Sequence, residues 1–408
     1  MRTAGAASAG TGLPVVLFGA CDRHNFGDLL FAHVAGALLP GRELIHAGLV
    51  HRDLRRHGGH AVGALAGVVA ALGGRPFHFV HVGGELLTCE AWQAAVMLQP
   101  QHIAREIVAR LHGRPAQGAA WAREVLGVAD RAPYAVARAR LPGAAAIVYN
   151  AVGGVDLDRQ DAALRAEVVA KLQAADAVGV RDRQTQAALE AAGVPAALLP
   201  DPGVLVAELW GTPIRHRARQ GEVAAIRRAC PQGYIAIQFS ADFGDDATLG
   251  QIANQLDEIA AATGYGIVFF RAGAAPWHDD LECYRRAAAR MRVPAQIFHS
   301  LQLWDICALI VGARAYSGSS LHGRIVATAF ALPRLSLLPT GGESGASKLA
   351  AYADTWEAPD LRGVIGVDAI AAGLEQALQT DGERLQGVAA GLAARYREGF
   401  AALRAALG

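Results

Sequence analysis

The sequence predicts an α/β protein of two doubly wound domains facing a cleft. Three observations predict it. Short, continuous apolar runs alternate with longer helical stretches along the chain, the mark of parallel strands covered on both faces. Polar residues gather just after those runs, at the strand ends where such sheets bind ligands. The 408 residues, 52% hydrophobic and 18% charged, exceed one ordinary domain and carry apolar surface for two cores.

Taken in order, residues 1–13 are small, lack the apolar core of a signal peptide and are expected to be disordered. Pro14 to Gly19 reads as a buried strand closed by glycine. A loop from Ala20 to Asp28 precedes a helix over Leu29–Leu39. Phe77–Val82 is the next strand, closed by Gly83 and Gly84, with a helix starting at Ala91. Residues 100–140 read as irregular and arginine-rich. Strand Ala145–Asn150, a helix over 160–174, strand Ala177–Val180, helix Gln184–Ala192 and strand Ala197–Leu199 complete the first series. Pro200-Asp201-Pro202 fixes an extended turn and closes a first domain at 14–205.

A second series occupies 230–365. Its strands are Tyr234–Phe239, Gly266–Phe270, Gln296–His299, Ala313–Ser317 and Arg334–Leu338, with helices Leu249–Ala262, Asp279–Met291, Leu303–Val311 and Leu321–Phe330 between them. The alanine-rich tail, 366–408, is expected to form helices packing across the domain junction.

A formal net charge of +1 argues against a dedicated nucleic-acid binder, which carries a basic excess. Lys171 and Lys348 are the only lysines. The five cysteines are odd in number, scattered and without a CxxC pair, which speaks against a disulfide framework or structural zinc and for a reducing, cytoplasmic setting. No run reaches the ~18 apolar residues of a membrane span. His51, His57 and His60 read as a solvated loop rather than a metal site, and no metal is expected.

The loop after Ser317 is the most informative. Ser319 and Ser320 are good helix N-caps, and Gly318 and Gly323 let backbone approach a ligand. A helix start is a ready anion site. His322 and Arg324 there add a titratable ring and a guanidinium, which suits chemistry on a phosphate or carboxylate. The plainer reading of His322 is a surface or capping residue.

The run from Asp305 to Leu335, with its core Ser319-Ser320-Leu321-His322-Gly323 followed by Ala327-Thr328-Ala329-Phe330-Ala331-Leu332-Pro333, resembles the C-terminal signature of polysaccharide pyruvyl transferases. Asn25-Phe26-Gly27-Asp28, Val82-Gly83-Gly84-Glu85, Val178 to Asp182, Pro200-Asp201-Pro202 and Ser347-Lys348 resemble other pieces of that family, in the family's order. Glu85 stands where a further glycine is common, and Ser320 where many members carry arginine.

The resemblance implies a GT-B-like pair of Rossmann-like domains. It also implies transfer of pyruvyl from phosphoenolpyruvate, a co-substrate rather than a cofactor, to two hydroxyls of a sugar or glycan, giving a cyclic ketal. Cell-envelope or exopolysaccharide synthesis is the setting it implies, with peripheral contact where the glycan is lipid-linked. On that basis His322 is the acid/base group and Asp28 a second catalytic candidate. Arg181, Ser319, Ser320, Gly323, Arg324 and Lys348 are assigned to the donor, with the two arginines as anion clamps. Asn25, Gly83, Gly84, Glu85 and His278 are assigned to the acceptor. Asp28 read alone is a plain helix N-cap, and Arg181 read alone is a salt-bridge partner for a strand-end carboxylate. Two other classes fit the fold: a GT-B glycosyltransferase using a nucleotide sugar, and a non-catalytic sugar- or anion-binding module. Against the first, Glu343 and Glu357 are poorly spaced for the paired glutamates many such enzymes use.

Overall fold

The computed structural model describes residues 12–339 and 347–408. The expected disordered start, up to residue 11, and Glu343 lie outside the described residues.

The strands are β1 (Val15–Phe18), β2 (Leu44–Gly48), β3 (Arg52–Asp53), β4 (Ala61–Ala64), β5 (Phe77–His81), β6 (Gly84–Glu85), β7 (Ala144–Gly153), β8 (Ala177–Val180) and β9 (Ala197–Leu198) in one sheet. They are β10 (Tyr234–Gln238), β11 (Gly266–Phe269), β12 (Ala295–Ile297), β13 (Ala315–Gly318), β14 (Arg334–Leu337) and β15 (Val364–Ile365) in the other. The first sheet runs β3-β4-β2-β1-β5-β7-β8-β9, with β6 beside β7; every pairing is parallel except β3 with β4. The second runs β12-β11-β10-β13-β14-β15 and is parallel throughout.

Both faces of each sheet are covered, so β1, β5 and β10 are buried at every position. Val15 and Leu17 point into a core shared by the two sheets, Val16 and Phe18 into a core of the first sheet alone. On β10, Tyr234 and Ala236 join the shared core while Ile235 and Ile237 join one confined to the second sheet. Burying each such side chain contributes roughly 1.5–3 kcal/mol. The helix Gly382–Ala405 fastens the halves together. Its Tyr396 hydroxyl accepts from Asn150 Nδ2 at 2.9 Å beneath β7, and the helix also packs on helix Leu321–Ala329 of the second half.

The strand order reverses between β1 and β5 in one sheet and between β10 and β13 in the other. At such reversals the loops from neighbouring strand ends diverge and leave a crevice. The loop after β1 meets the loop after β11 across the junction, where Phe26 N donates to Ala272 O at 2.9 Å.

Three sequence readings change. Residues 100–140 are not irregular: they hold helices Gln101–Leu111 and Pro115–Leu126. Their buried faces are mostly small, with Ala104, Gly118 and Ala122 among them, so they carried little hydrophobic signal. The turn His112-Gly113-Arg114 and Pro115 at the second helix start divide them. The region after Pro202 holds two further helices, Val206–Arg217 and Gly221–Ala229. His60, read as part of a solvated loop, stacks on His46 at 3.8 Å and lies 4.2 Å from His33. Among the described residues no helix is long and apolar enough to cross a membrane, and no group of three or more His, Cys, Asp or Glu is arranged to hold a metal ion.

Candidate active site

The loop after β1 is fixed from below. Buried Asp22 accepts from the N–H of Leu49 at 2.6 Å and from the Tyr134 hydroxyl at 2.9 Å. Arg23 donates to the same hydroxyl at 3.2 Å and lies 3.6 Å from Asp28. Asn25, not Asp28, caps the following helix, Phe26–Ala37: its Oδ1 accepts from Gly27 N at 3.2 Å. Asp28 therefore sits one turn in, free of the capping role that its sequence position suggested. It is buried, and burial raises its carboxyl pKa above the usual range against the pull of Arg23, Lys348 and Arg181.

Arg181 leaves β8 with its guanidinium committed. It donates to Asp201 at 3.0 Å and to Glu85 at 2.6 Å. Asp182 caps the next helix through Thr185 N. The salt-bridge reading of Arg181 is thus realised with Asp201 and Glu85. The residue still lines the cleft, but as the pin that holds two carboxylates in place.

From the second half, Gln238 at the end of β10 organises the loop after β13. Its side-chain oxygen accepts from Ser320 N at 2.8 Å, and its amide donates to Asp279 at 2.7 Å. Its backbone carbonyl accepts from Ser319 N at 3.2 Å. Ser320 caps helix Leu321–Ala329 by accepting from Gly323 N at 3.2 Å. Three N–H groups of this supposed anion cradle are thus already used inside the protein.

His322 projects from the first turn of that helix into the opposite half. Its ring meets Phe31 at 5.0 Å edge-on. Its Nε2 lies 3.8 Å from Asp201 Oδ2 and has no hydrogen-bond partner among the described residues. Burial, then Arg181, Lys348 and His278, holds the imidazole pKa well below its ordinary value, so the ring is neutral near pH 7.

The cleft these groups enclose measures about 590 Å³. Asn25, Asp28, Glu85, Arg181, His278, Ser319, Ser320, His322 and Lys348 all line it. Asn25 Nδ2 and His278 Nε2 meet across the junction at 3.3 Å. Lys348 is exposed at the rim, with no ion-pair partner among the described residues.

Four assigned residues do not line it. Gly83 and Gly84 adopt positive φ of 127° and 99° and pack under Phe31. Gly323 makes room for Tyr316, whose hydroxyl a β-carbon there would meet at 2.4 Å. Arg324 is the clearest correction. Its guanidinium is wholly buried, donating to Glu357 at 3.0 and 2.9 Å and to Ser336 at 3.0 Å, and it cannot clamp a donor from there.

The structure adds Arg23, Trp277 and Asp279 to the lining. Arg23 Nε has no acceptor among the described residues. Burial pushes the Asp279 carboxyl up to about 7. All three lie in strand-end loops that the sequence marked as polar. A neutral imidazole beside Lys348, Arg23 and buried carboxyls can exchange protons with a hydroxyl while an anion is held nearby.

Comparison with known proteins supplies a frame for this geometry. Residues 142–338 match the family model described as polysaccharide pyruvyl transferase. No curated protein sequence matches the chain. Among solved structures, a UDP-GlcNAc 2-epimerase from Neisseria meningitidis bound to UDP-GlcNAc is 10% identical with a TM-score of 0.52, over 94% of this chain and 97% of that one. The S. aureus MnaA–UDP complex is 9% identical with a TM-score of 0.52, over 93% of this chain and 91% of that one. Likeness at that identity speaks to fold, and the fold is GT-B-like.

Proposed function

We propose, from the match of residues 142–338 to the polysaccharide pyruvyl transferase model, that the cleft moves pyruvyl from phosphoenolpyruvate to a sugar or glycan. The observation that carries this reading is His322: a neutral, unpartnered ring from one half, seated in the other beside Asp201 and among cleft-lining cations.

In this reading Lys348 and Arg23 hold the donor's phosphate and carboxylate. His322 takes the proton of the attacking hydroxyl as that oxygen bonds to the enol carbon. Asp28, whose burial favours its protonated form, delivers a proton to the methylene carbon. The carbon–phosphate oxygen bond then breaks, the second hydroxyl closes the ketal, and phosphate leaves with the last proton. Arg181 acts on neither substrate; it positions Asp201 against His322. Asn25 and His278 face the acceptor. We place the reaction in the cytoplasm, which suits the five unpaired cysteines.

The test is incubation with phosphoenolpyruvate and a panel of sugars, following phosphate release and acceptor mass. Ketal-bearing products are expected. Consumption of a nucleotide sugar with no response to phosphoenolpyruvate would replace this reading by glycosyl transfer.

A further inference from the structure

We propose that Trp277 and Trp92 form a stacking platform for a second saccharide unit, so that the acceptor is an oligosaccharide chain rather than a single sugar. The proposal deepens the reading of the cleft as an acceptor site and rests on it.

Trp277 is the large hydrophobic side chain left open to solvent among the described residues, at 44% exposure. Its backbone lies in the left-handed region, φ 63°, which a bulky residue adopts only where its surroundings enforce it. They do so here: Ala274 N donates to His24 O at 3.1 Å, and His278 O accepts from Ala241 N at 2.9 Å. The fold therefore holds an aromatic plane outward at the mouth of the cleft instead of burying it.

Trp277 also lines a second hollow of about 490 Å³, so the indole is the shared wall of two spaces. Trp92 lines the same hollow as the neighbour of Trp277, 6.5 Å away between ring centroids and tilted by 54°, and is braced edge-on by Trp121 at 5.4 Å. Gly118 makes that arrangement fit, since a β-carbon there would meet the Trp92 ring at 3.2 Å. Helix Gln101–Leu111 also reaches the other half, where Arg105 pairs with Asp280 at 3.2 Å.

The chemistry of the hollow selects its occupant. A pyranose shows an apolar C–H face, which an indole covers well, and a rim of hydroxyls that needs polar partners. Charged Glu90, Arg114, Arg131 and Asp161 border the tryptophans and supply such partners. A lipid chain would gain from the indoles and lose at that border. A glycan whose reacting unit lies beside His278 passes Trp277 to enter the hollow.

The test is calorimetric titration, without phosphoenolpyruvate, of β-1,4-linked glucose, mannose and N-acetylglucosamine oligomers of one to four units. At least one series should bind about tenfold tighter at three units than at one. Trp277→Ala should erase that gain and Trp277→Phe should keep part of it, with melting curves confirming that both variants fold. Affinity independent of length in every series, or a length gain surviving Trp277→Ala, overturns the platform. Displacement of a bound trimer by a sugar-free polyprenyl phosphate also overturns it, in favour of a lipid site. A Trp277-dependent length gain in a protein that never releases phosphate leaves the platform standing and removes the donor reading alone.

Discussion

A β-carbon on Gly27 would stand 1.9 Å from Cγ of His322, so the catalytic candidate of one half occupies space that only glycine leaves open in the other. Gly27 is not in a left-handed conformation, and its requirement is steric. Gly27→Ala must drive the ring out of the cleft or the helix start away from it. Overpacking of this kind costs about 1–3 kcal/mol. Phosphate turnover should fall with it by roughly 10²–10⁴-fold, the size of a lost acid–base contribution. The double variant with His322→Ala should regain melting temperature while staying inactive. A double variant that melts no higher than Gly27→Ala would show that the two residues are not coupled.

Arg324 and Lys348 exchange the roles that sequence position suggests. Arg324 holds Glu357 where neither side chain meets solvent, and Glu357 also accepts from Arg334 at 2.7 Å. Removing one partner of a buried pair costs about 3–5 kcal/mol. Arg324→Ala should show that loss in urea unfolding, while its folded fraction keeps wild-type donor affinity. A donor affinity reduced tenfold without loss of stability would restore Arg324 to the binding site.

Lys348 should behave in the opposite way. An exposed cation adds little to stability. In contact with a phosphate its loss costs about 1.5–3 kcal/mol of binding. Lys348→Ala should therefore melt with the wild type and bind phosphoenolpyruvate at least tenfold more weakly by calorimetry. Wild-type affinity should also fall with added salt. Unchanged affinity in the variant removes Lys348 from the donor site.

The contrast between these residues shows what a sequence carries. The central strands were legible because parallel strands covered on both faces are largely apolar, as Val15–Phe18 is throughout and Tyr234–Gln238 nearly is. Strand Leu44–Gly48 was not, because His46 and Gly48 interrupt the run and its first three residues are only half-buried. The loops that build the cleft were legible as polar strand ends. The direction of each side chain was not: Arg324 turns to Glu357, 33 residues away, and Arg181 to Asp201, 20 away. Neither partner announces itself by spacing. Trp277 was silent for a related reason, since an exposed indole is recognised only once the second hollow is visible beside it.

The protonation of His322 gives the sharpest expectation. Burial and the charges of Arg181 and Lys348 hold its pKa well below the ordinary 6.5. A labelled-histidine NMR titration should find this ring neutral at pH 6.5, titrating only in more acidic solution. A bound donor brings a phosphate and a carboxylate that offset those cations, so its pKa should rise on binding. The sign for stability follows from the same depression. Between the folded value and 6.5 the unfolded chain binds more protons, so the contribution of His322 is complete above 6.5 and is lost as pH falls. The loss follows from linkage: a proton taken up by the unfolded chain and refused by the folded one draws the equilibrium toward unfolding. His322→Gln carries no such proton and should lose less melting temperature than the wild type between pH 7 and 5. Glutamine donates a hydrogen bond but moves no proton, so the variant should bind donor while turnover falls roughly 10²–10⁴-fold. Near-normal turnover in His322→Gln would give the proton transfer to another group and leave His322 a positioning role.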